Sequence, residues 1–255
     1  MQKYQAIILS AGIGSRLLPL TLTRPKALMR LPDSRTILQH QLDSLSRCAR
    51  IGGFTIVCGH QFNSMKRAAD IYEGAKIDLA LNPFYSASGP LGSIWIALQS
   101  VTSNHLVITN GDTVLSSGFS ELLDPILDKG KDGFYLLCSK NTRQHDDSVN
   151  VLVQQDGNLI AVGKELRPSD DTLESSGVFV ISGEQKRTLF ERTLHELFVD
   201  SEDPVIRWAW HAALNALIAD GHPVKSVLVP SDCWKEIDSA EDLAHFDKTR
   251  PQQKP

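Results

Sequence analysis

The sequence lacks the features that mark several large protein classes. Its 255 residues include four cysteines, Cys48, Cys58, Cys138 and Cys233, which are scattered and form no C-x-x-C pair. This spacing argues against a thiol-based metal or redox centre and favours reduced, buried cysteines. No apolar run approaches the ~20 residues of a membrane-spanning helix, and the run at Ala6–Leu9 is too short for a signal peptide. We therefore expect a cytoplasmic protein that contacts no membrane.

An excess of basic residues is also missing. The chain has 26 Lys and Arg against 30 Asp and Glu, for a formal charge of −4. That balance argues against a dedicated nucleic-acid binder, although a local basic pocket for phosphates is compatible with it. The chain also has no internal repeat and no low-complexity linker. We expect one domain over residues 1–247 and a frayed polar tail over residues 248–255.

Short apolar runs alternate with helix-like stretches through the first half of the chain. This alternation predicts an α/β fold, a Rossmann-like and mainly parallel sheet with helices on both faces. The predicted strands are Ala6–Leu9, Phe54–Cys58, Asp78–Leu81, Leu106–Thr109 and Phe134–Cys138, and the predicted helices are Thr36–Ala49, Asn63–Tyr72, Leu91–Gln99 and Phe119–Leu127.

The second half predicts a small mixed β region followed by helices. Asp156-Gly157 is a hairpin turn signal between two apolar runs. Ser239 is a candidate N-cap for the last helix. The predicted strands are Val149–Gln154, Leu159–Val162, Val178–Ile181 and Val224–Val229, and the predicted helices are Glu184–Phe198 and Val205–Ala219.

A glycine loop after the first strand is the most informative segment. Gly12 and Gly14 let backbone N–H groups approach an anion closely, and Arg16 and Lys26 add positive charge. The dinucleotide fingerprint G-x-G-x-x-G fails, because its third glycine would fall at Leu17. No Walker motif G-x-x-x-x-G-K-[ST] occurs either. The loop therefore predicts phosphate binding of a third kind.

The segment Leu9–Leu28 resembles the signature L-x-[AG]-G-x-G-[ST]-R-x-x-P-x-T-x-x-x-P-K-x-L of nucleoside-triphosphate transferases. It matches at Gly12, Gly14, Ser15, Arg16, Pro19, Thr21, Pro25 and Lys26. The resemblance implies the GT-A-like fold of these enzymes, with a nucleotide-binding half at about residues 1–115 and an acceptor-binding half at about residues 116–247. It also implies an NTP, an acceptor phosphate and Mg²⁺ as ligands, and Arg16 and Lys26 as catalytic residues.

Two acidic segments predict where the metal binds. Asp112 follows an apolar strand, at the sheet edge where open parallel sheets bind ligands, although a strand-end Asp can also simply cap a turn. The segment Trp234–Leu243 resembles the W-x-[DE]-I-[DN]-[ST]-x-E-D-L ending of the same family. The resemblance makes Asp112 and Asp238 the metal ligands. Mg²⁺ bound by one or two carboxylates plus substrate phosphates is the usual mode.

The resemblance also assigns the remaining substrate contacts. The segment Asn82–Leu98 leads into a helix and is similar to the part of the family that touches the nucleobase and ribose, although Gly89-Pro90 could serve the turn alone. The expected nucleotide-binding residues are Leu9, Ser10, Ala11, Gly12, Gly14, Ser15, Arg16, Ser88, Gly89, Ser93 and Asp112. The expected acceptor-binding residues are Lys26, Tyr85, Lys164, Glu174, Trp208, Trp210 and Glu236.

Residues 147–181 most resemble phosphocholine cytidylyltransferases and their phosphonate-using relatives. This favours CTP and a small phosphorylated or phosphonate acceptor. The segment Ser86–Ser93 departs from the choline branch, where an Asn-rich stretch is usual. A sugar-1-phosphate nucleotidyltransferase using UTP, GTP or dTTP is the alternative, and a non-catalytic nucleotide-binding regulator is the alternative from another class. A homodimer is compatible with the sequence.

Overall fold

The computed structural model describes residues 3–128, 131–140, 148–169, 172–201, 205–244 and 246. The predicted tail at residues 248–255 and Asp147 lie outside this part of the chain. Its strands are β1 (Tyr4–Ser10), β2 (Ile51–Cys58), β3 (Ile77–Leu81), β4 (His105–Asn110), β5 (Thr113–Leu115), β6 (Gly133–Lys140), β7 (Asn150–Val153), β8 (Leu159–Gly163), β9 (Thr172–Ser182), β10 (Val224–Leu228) and β11 (Trp234–Glu236). Its α-helices are α1 (Ile37–Ser46), α2 (Phe62–Asp70), α3 (Pro90–Leu98), α4 (Phe119–Asp128), α5 (Glu184–Asp200), α6 (His211–Ala219) and α7 (Ala240–Ala244).

The main sheet has the order β10-β6-β9-β4-β1-β2-β3. The pairs β4–β1, β1–β2, β2–β3 and β10–β6 are parallel, whereas β9 runs antiparallel to both β4 and β6. The predicted α/β fold with a mainly parallel sheet is confirmed. The reversed direction of β9 was not predicted, because strand direction leaves no mark in an apolar run.

Both faces of the sheet are buried. Along β1, Ile7 packs into an apolar cluster with α3, α5 and α6, whereas its neighbours Ala6 and Ile8 pack into a second cluster with α1, α2 and α4. Successive side chains of a strand point to opposite faces, so a strand covered on both sides must be apolar throughout. This accounts for the continuous apolar run at the start of the chain.

The residues at the start of α1 explain why the helix begins there. Thr36 Oγ1 accepts a hydrogen bond from the Gln39 backbone N–H at 3.1 Å, and Gln39 Oε1 accepts one from the Thr36 N–H at 2.8 Å. This capping box satisfies two of the N–H groups that a helix start leaves unpaired. The first turn of α1 is therefore fixed by its own sequence.

The mixed β region forms as predicted, but one predicted helix is shorter. Strands β7 and β8 are antiparallel partners across the Asp156-Gly157 turn. The helix expected over Val205–Ala219 begins only at His211, and Val205–Arg207 is a separate 3₁₀ turn. The reason is that the Ile206 carbonyl accepts from the Gly89 N–H at 2.6 Å and the Trp208 carbonyl accepts from the Leu91 N–H at 3.1 Å. These carbonyls pair with the start of α3 instead of continuing a helix.

The four cysteines are free and buried, as expected for reduced thiols. Burial raises the pKa of Cys58 to about 12, so this thiol stays protonated at neutral pH. In the part of the chain that the structure describes, no helix has both the length and the apolar character needed to cross a membrane.

Candidate active site

A cleft of about 510 Å³ opens at the carboxyl ends of β1 and β4. Three parts of it take their names from the ligand groups that the sequence predicts for their residues. The phosphate end comprises the loop Gly12–Arg16 with Lys26, Asp112, Glu236 and Asp238; the base end comprises Ser88, Gly89 and Ser93; the acceptor end comprises Val149, Lys164, Ser175, Gly177 and His211.

The glycine loop begins directly after β1, and its backbone at Gly12 is not covered by other atoms of the protein. A Cβ placed on Gly12 would meet no heavy atom within 4 Å, so the protein's own packing does not demand a glycine there. Gly14 has φ 68°, in the left-handed region that favours glycine, and its carbonyl accepts from Thr21 Oγ1 at 3.0 Å. Leu17, at 1% exposure, anchors the far side of the loop. The free space at Gly12 therefore suits the close approach of a ligand.

Lys26 is the central charge of the phosphate end. Its Nζ donates to Asp112 Oδ2 and to Asp238 Oδ1, both at 2.7 Å, and Arg16 lies 3.5 Å from the same Asp238 oxygen. Burial acts to lower the pKa of Lys26, but the two carboxylates outweigh it and the net pKa is raised. The ammonium therefore stays charged, and both carboxylates face one shared cation.

A small antiparallel sheet holds the two carboxylates together. Strand β5, directly after Asp112, pairs with β11, and the Asp112 carbonyl accepts from the Ile237 N–H at 3.0 Å. Gly111 must be a glycine, because a Cβ there would overlap the Ser10 side chain and the Leu9 carbonyl. Asp112 and Asp238 thus meet although they are far apart in sequence.

Glu236 is a half-buried acid beside the two aspartates. Burial, followed by the nearby charges of Asp112 and Asp238, raises its pKa to about 8. Asn110 Nδ2 donates to Glu236 Oε1 at 3.1 Å, and Asn110 Oδ1 accepts from Trp210 Nε1 at 2.8 Å. Glu236 is therefore neutral below that pKa and adds no third negative charge to the pair.

The donor set fits a magnesium ion. Within the described ranges, no three His, Cys, Asp or Glu side chains form a complete metal cage. Asp112 and Asp238 nevertheless converge on one cation, the Lys26 ammonium, so the two carboxylates are close enough together that they could hold a shared ion. Two carboxylate oxygens, completed by water and substrate phosphates, form the environment that Mg²⁺ usually takes.

The base end lies at the start of α3 and carries no charged side chain. Ser88, Gly89 and Ser93 all line the cleft, together with Leu9, Ser10 and Ala11 of the predicted nucleotide-binding set. A Cβ on Gly89 would overlap the Arg207 backbone. Packing against the 3₁₀ turn therefore accounts for this glycine by itself.

The acceptor-binding residues predicted from sequence are only partly brought together. Tyr85, Lys164 and Trp210 line the cleft, whereas Glu174 and Trp208 do not. Glu174 accepts from Ser148 Oγ at 2.5 Å, and Trp208 packs against the core beside the α3 start. The Trp208 side chain is thus used in packing. Tyr85, Trp208 and Trp210 therefore do not together surround a single ligand position.

Asn110 and His211 are among the cleft residues that the sequence did not predict. Asn110 links Trp210 to Glu236 through its side-chain amide, and His211 opens α6 beside the acceptor end. Burial lowers the pKa of His211, Glu165 acts to raise it and Lys164 acts to lower it, so the imidazole favours its neutral form. Asn110 could have been found, since it directly precedes Gly111-Asp112 at a strand end. His211 carries no sequence signal, because it depends on where α6 begins.

Comparison with known proteins agrees with this geometry. The family model of the MobA-like NTP transferase domain matches residues 6–247. The chain belongs to this family. The 2-aminoethylphosphonate cytidylyltransferase of Lancefieldella rimae is 22% identical over 250 residues, which cover 96% of this chain and 93% of the relative.

Two other relatives are longer proteins. The glucose-1-phosphate thymidylyltransferase of Streptomyces antibioticus is 23% identical over 96% of this chain, and the CMP-5'-(3-aminopropyl)phosphonate synthase of Streptomyces rubellomurinus is 25% identical over 95% of it. The matches span 65% and 38% of those two relatives.

Solved structures share the fold across nearly the whole chain. The inositol-1-phosphate CTP transferase from T. maritima superimposes with a TM-score of 0.78 at 19% identity, covering 98% of this chain and 97% of that one. The CTP:phosphocholine cytidylyltransferase of Streptococcus pneumoniae gives a TM-score of 0.73 at 18% identity, covering 96% and 98%. The predicted GT-A-like nucleotidyltransferase fold is confirmed.

Proposed function

We propose that this protein is a Mg²⁺-dependent nucleotidyltransferase that transfers CMP from CTP to a small phosphorylated or phosphonate acceptor and releases pyrophosphate. The observation that carries the proposal is the meeting of Lys26 with Asp112 and Asp238 at 2.7 Å, beside the open loop at Gly12. These groups form a phosphate site and a two-carboxylate cation site in one cleft.

The reaction requires that the two substrates are positioned and that the negative charge of the transition state is stabilised. An acceptor phosphate near pH 7 already carries close to two negative charges, so it needs no strong base. Its oxygen attacks the α-phosphorus and forms the new P–O bond, while the bond to the β-phosphate oxygen breaks and pyrophosphate leaves with that electron pair. Arg16 binds the leaving phosphates, and Lys26 stabilises charge at the α-phosphate. Bound Mg²⁺ supplies further charge neutralisation.

The acceptor end suits a small anion. Lys164 brings a positive charge, and Ser175 and His211 are polar groups lining the same part of the cleft. The relatives that carry CMP or cytidylyl in their names support the choice of CTP and of a phosphate or phosphonate acceptor. The thymidylyltransferase of Streptomyces antibioticus supports the sugar-1-phosphate alternative.

A pyrophosphate-release screen tests the proposal. Each of the four NTPs is incubated with Mg²⁺ and with phosphocholine, aminoalkyl phosphonates, polyol phosphates or sugar-1-phosphates. We expect release with CTP and one acceptor, and kcat/KM for CTP about tenfold to a hundredfold above that for UTP, the effect of one buried polar group matched or left unpaired. Preference for another NTP with a sugar-1-phosphate would establish the alternative. Nucleotide binding without release from any pair would point to a non-catalytic regulator.

A further inference from the structure

Asn82 lies behind the base end and is completely buried, at 0% exposure. It directly follows β3, and its backbone N–H donates to the Cys58 carbonyl at 2.8 Å. Its side chain is absent from the lining of the cleft. Any effect of Asn82 on a ligand must therefore pass through the residues that it contacts.

The Asn82 amide contacts both serines of the base end. Its Nδ2 donates to Ser88 Oγ at 2.8 Å and to Ser93 Oγ at 3.1 Å. Its Oδ1 accepts from the Phe84 backbone N–H at 2.9 Å. A backbone N–H can only donate, so this third bond fixes which end of the amide carries the oxygen. The NH₂ group therefore faces the two serines, and both of its hydrogens are used.

The serine hydroxyls consequently have protons left to donate. Each oxygen accepts from Asn82, and among the described residues neither hydroxyl has a second hydrogen-bond partner. Ser93 is only 5% exposed, so an unpaired O–H there would cost stability once a ligand excludes water. A ligand that presents acceptor atoms to the two serines satisfies both protons.

We propose that Asn82 is a positioning residue that selects the nucleobase, by holding Ser88 and Ser93 as a pair of hydrogen-bond donors. The inference deepens the proposed function, on which it rests for the choice of CTP. The base end lines the same cleft as the charged phosphate end but offers a ligand uncharged groups, which suits a nucleobase.

Paired donors distinguish cytosine from uracil. Cytosine carries two neighbouring acceptors, O2 and N3, whereas uracil carries O2 beside an N3–H donor. A uracil N–H could reach the remaining lone pair of a serine oxygen, but the proton of that serine would then have no acceptor. A site built to pair polar groups discriminates strongly against a ligand that leaves one of them unpaired.

The test is equilibrium binding without an acceptor substrate, so that no turnover is needed. CTP and UTP are titrated in the presence of Mg²⁺ by calorimetry into wild type and three variants, with thermal melting of each. Wild type is expected to bind CTP at least about tenfold more tightly than UTP. Asn82→Ala frees the serine hydroxyls to turn, and the preference should fall to about threefold or less. Asn82→Asp places acceptors against both serines, and its preference should shift further towards UTP.

Asn215→Ala is the matched control. Asn215 also makes two side-chain hydrogen bonds, with the N–H and carbonyl of Val162 at 2.9 and 2.8 Å, but it lies outside the cleft lining. It should lower the melting temperature and leave the CTP:UTP ratio unchanged. An unchanged ratio in Asn82→Ala would overturn the inference. If Asn82→Ala does not fold, Ser93→Ala is measured instead, and an unchanged ratio in that variant would have the same meaning.

Failure of the proposed function remains distinguishable. If the wild type binds CTP selectively, Asn82→Ala loses that preference and no acceptor gives pyrophosphate release, the proposed function is contradicted and the role of Asn82 is supported. A wild type that releases pyrophosphate but binds UTP as tightly as CTP would overturn the inference and leave the nucleotidyltransferase activity standing.

Discussion

The phosphate end of the cleft holds charged side chains that are bonded to one another, whereas the acceptor end combines one lysine with polar and apolar residues. Lys26 is fixed at 2.7 Å from each of two carboxylates. At the acceptor end, Lys164 follows β8, Ser175 lies on β9 and His211 opens α6. The first arrangement is closely constrained by its own contacts. We therefore expect the reaction chemistry to depend on the phosphate end and the choice of acceptor to depend on the acceptor end.

The largest effect should come from the carboxylate pair. We expect Asp112→Asn and Asp238→Asn each to abolish Mg²⁺-dependent pyrophosphate release, with the double variant little worse than either single one, since residues that act as one unit are strongly non-additive. Single-turnover rates measure this, and Asp70→Asn, in an exposed ion pair with Lys66, is the control. Losses that multiply in full would show that the two carboxylates do not share one ion.

The next largest effect concerns Lys26. Lys26→Ala should lower kcat by about 10² to 10³, the effect of removing one preorganised charge-stabilising group. Lys66→Ala removes a lysine from an exposed i,i+4 ion pair and should leave kcat unchanged. Near-normal turnover of Lys26→Ala, with circular dichroism showing both variants folded, would remove Lys26 from the mechanism.

A smaller and more selective effect is expected at Lys164. Lys164→Ala should raise the KM for the acceptor about tenfold, the effect of losing one charge-assisted hydrogen bond to a phosphate. The KM for CTP should stay within about twofold, because the phosphate end is held by other contacts. Initial rates with each substrate varied in turn measure both constants. An equal rise in the two KM values would erase the proposed division between the ends.

The smallest effect separates two tryptophans that the sequence treats alike. Trp210→Phe leaves Asn110 Oδ1 without its donor and should destabilise the protein by about 1–3 kcal/mol, measured by urea unfolding. Trp208→Phe should change the acceptor KM less than about twofold, because Trp208 lies outside the cleft. A large rise in the acceptor KM of Trp208→Phe would show that Trp208 contributes to acceptor binding.

The sequence predicted those features of the fold that depend on residues close together in the chain. The strand before Asp112 is a continuous apolar run, so the placement of Asp112 at a sheet edge follows from that run. The contact of Lys26 with both carboxylates was not predicted. It depends on β5 and β11, which have three residues each and are too short for a periodic pattern.

Errors in the second half have the same kind of cause. The helix expected from Val205 begins at His211, because backbone groups near residues 206–208 pair with the start of α3. That pairing joins residues more than a hundred positions apart. A local sequence pattern cannot reveal such a long-range pairing. For this reason the sequence predicted neither the position of Trp208 nor the presence of His211 in the cleft.

The pairing of β5 with β11 determines when, during synthesis of the chain, the phosphate end can be completed. A nascent chain that has emerged through β5 already holds the glycine loop, Lys26 and Asp112. Asp238 follows only after more than a hundred further residues. Until Asp238 is synthesised, the second carboxylate partner of Lys26 is missing, and the phosphate end is incomplete. The cation site therefore closes late in synthesis, after the strands of the main sheet have all been made.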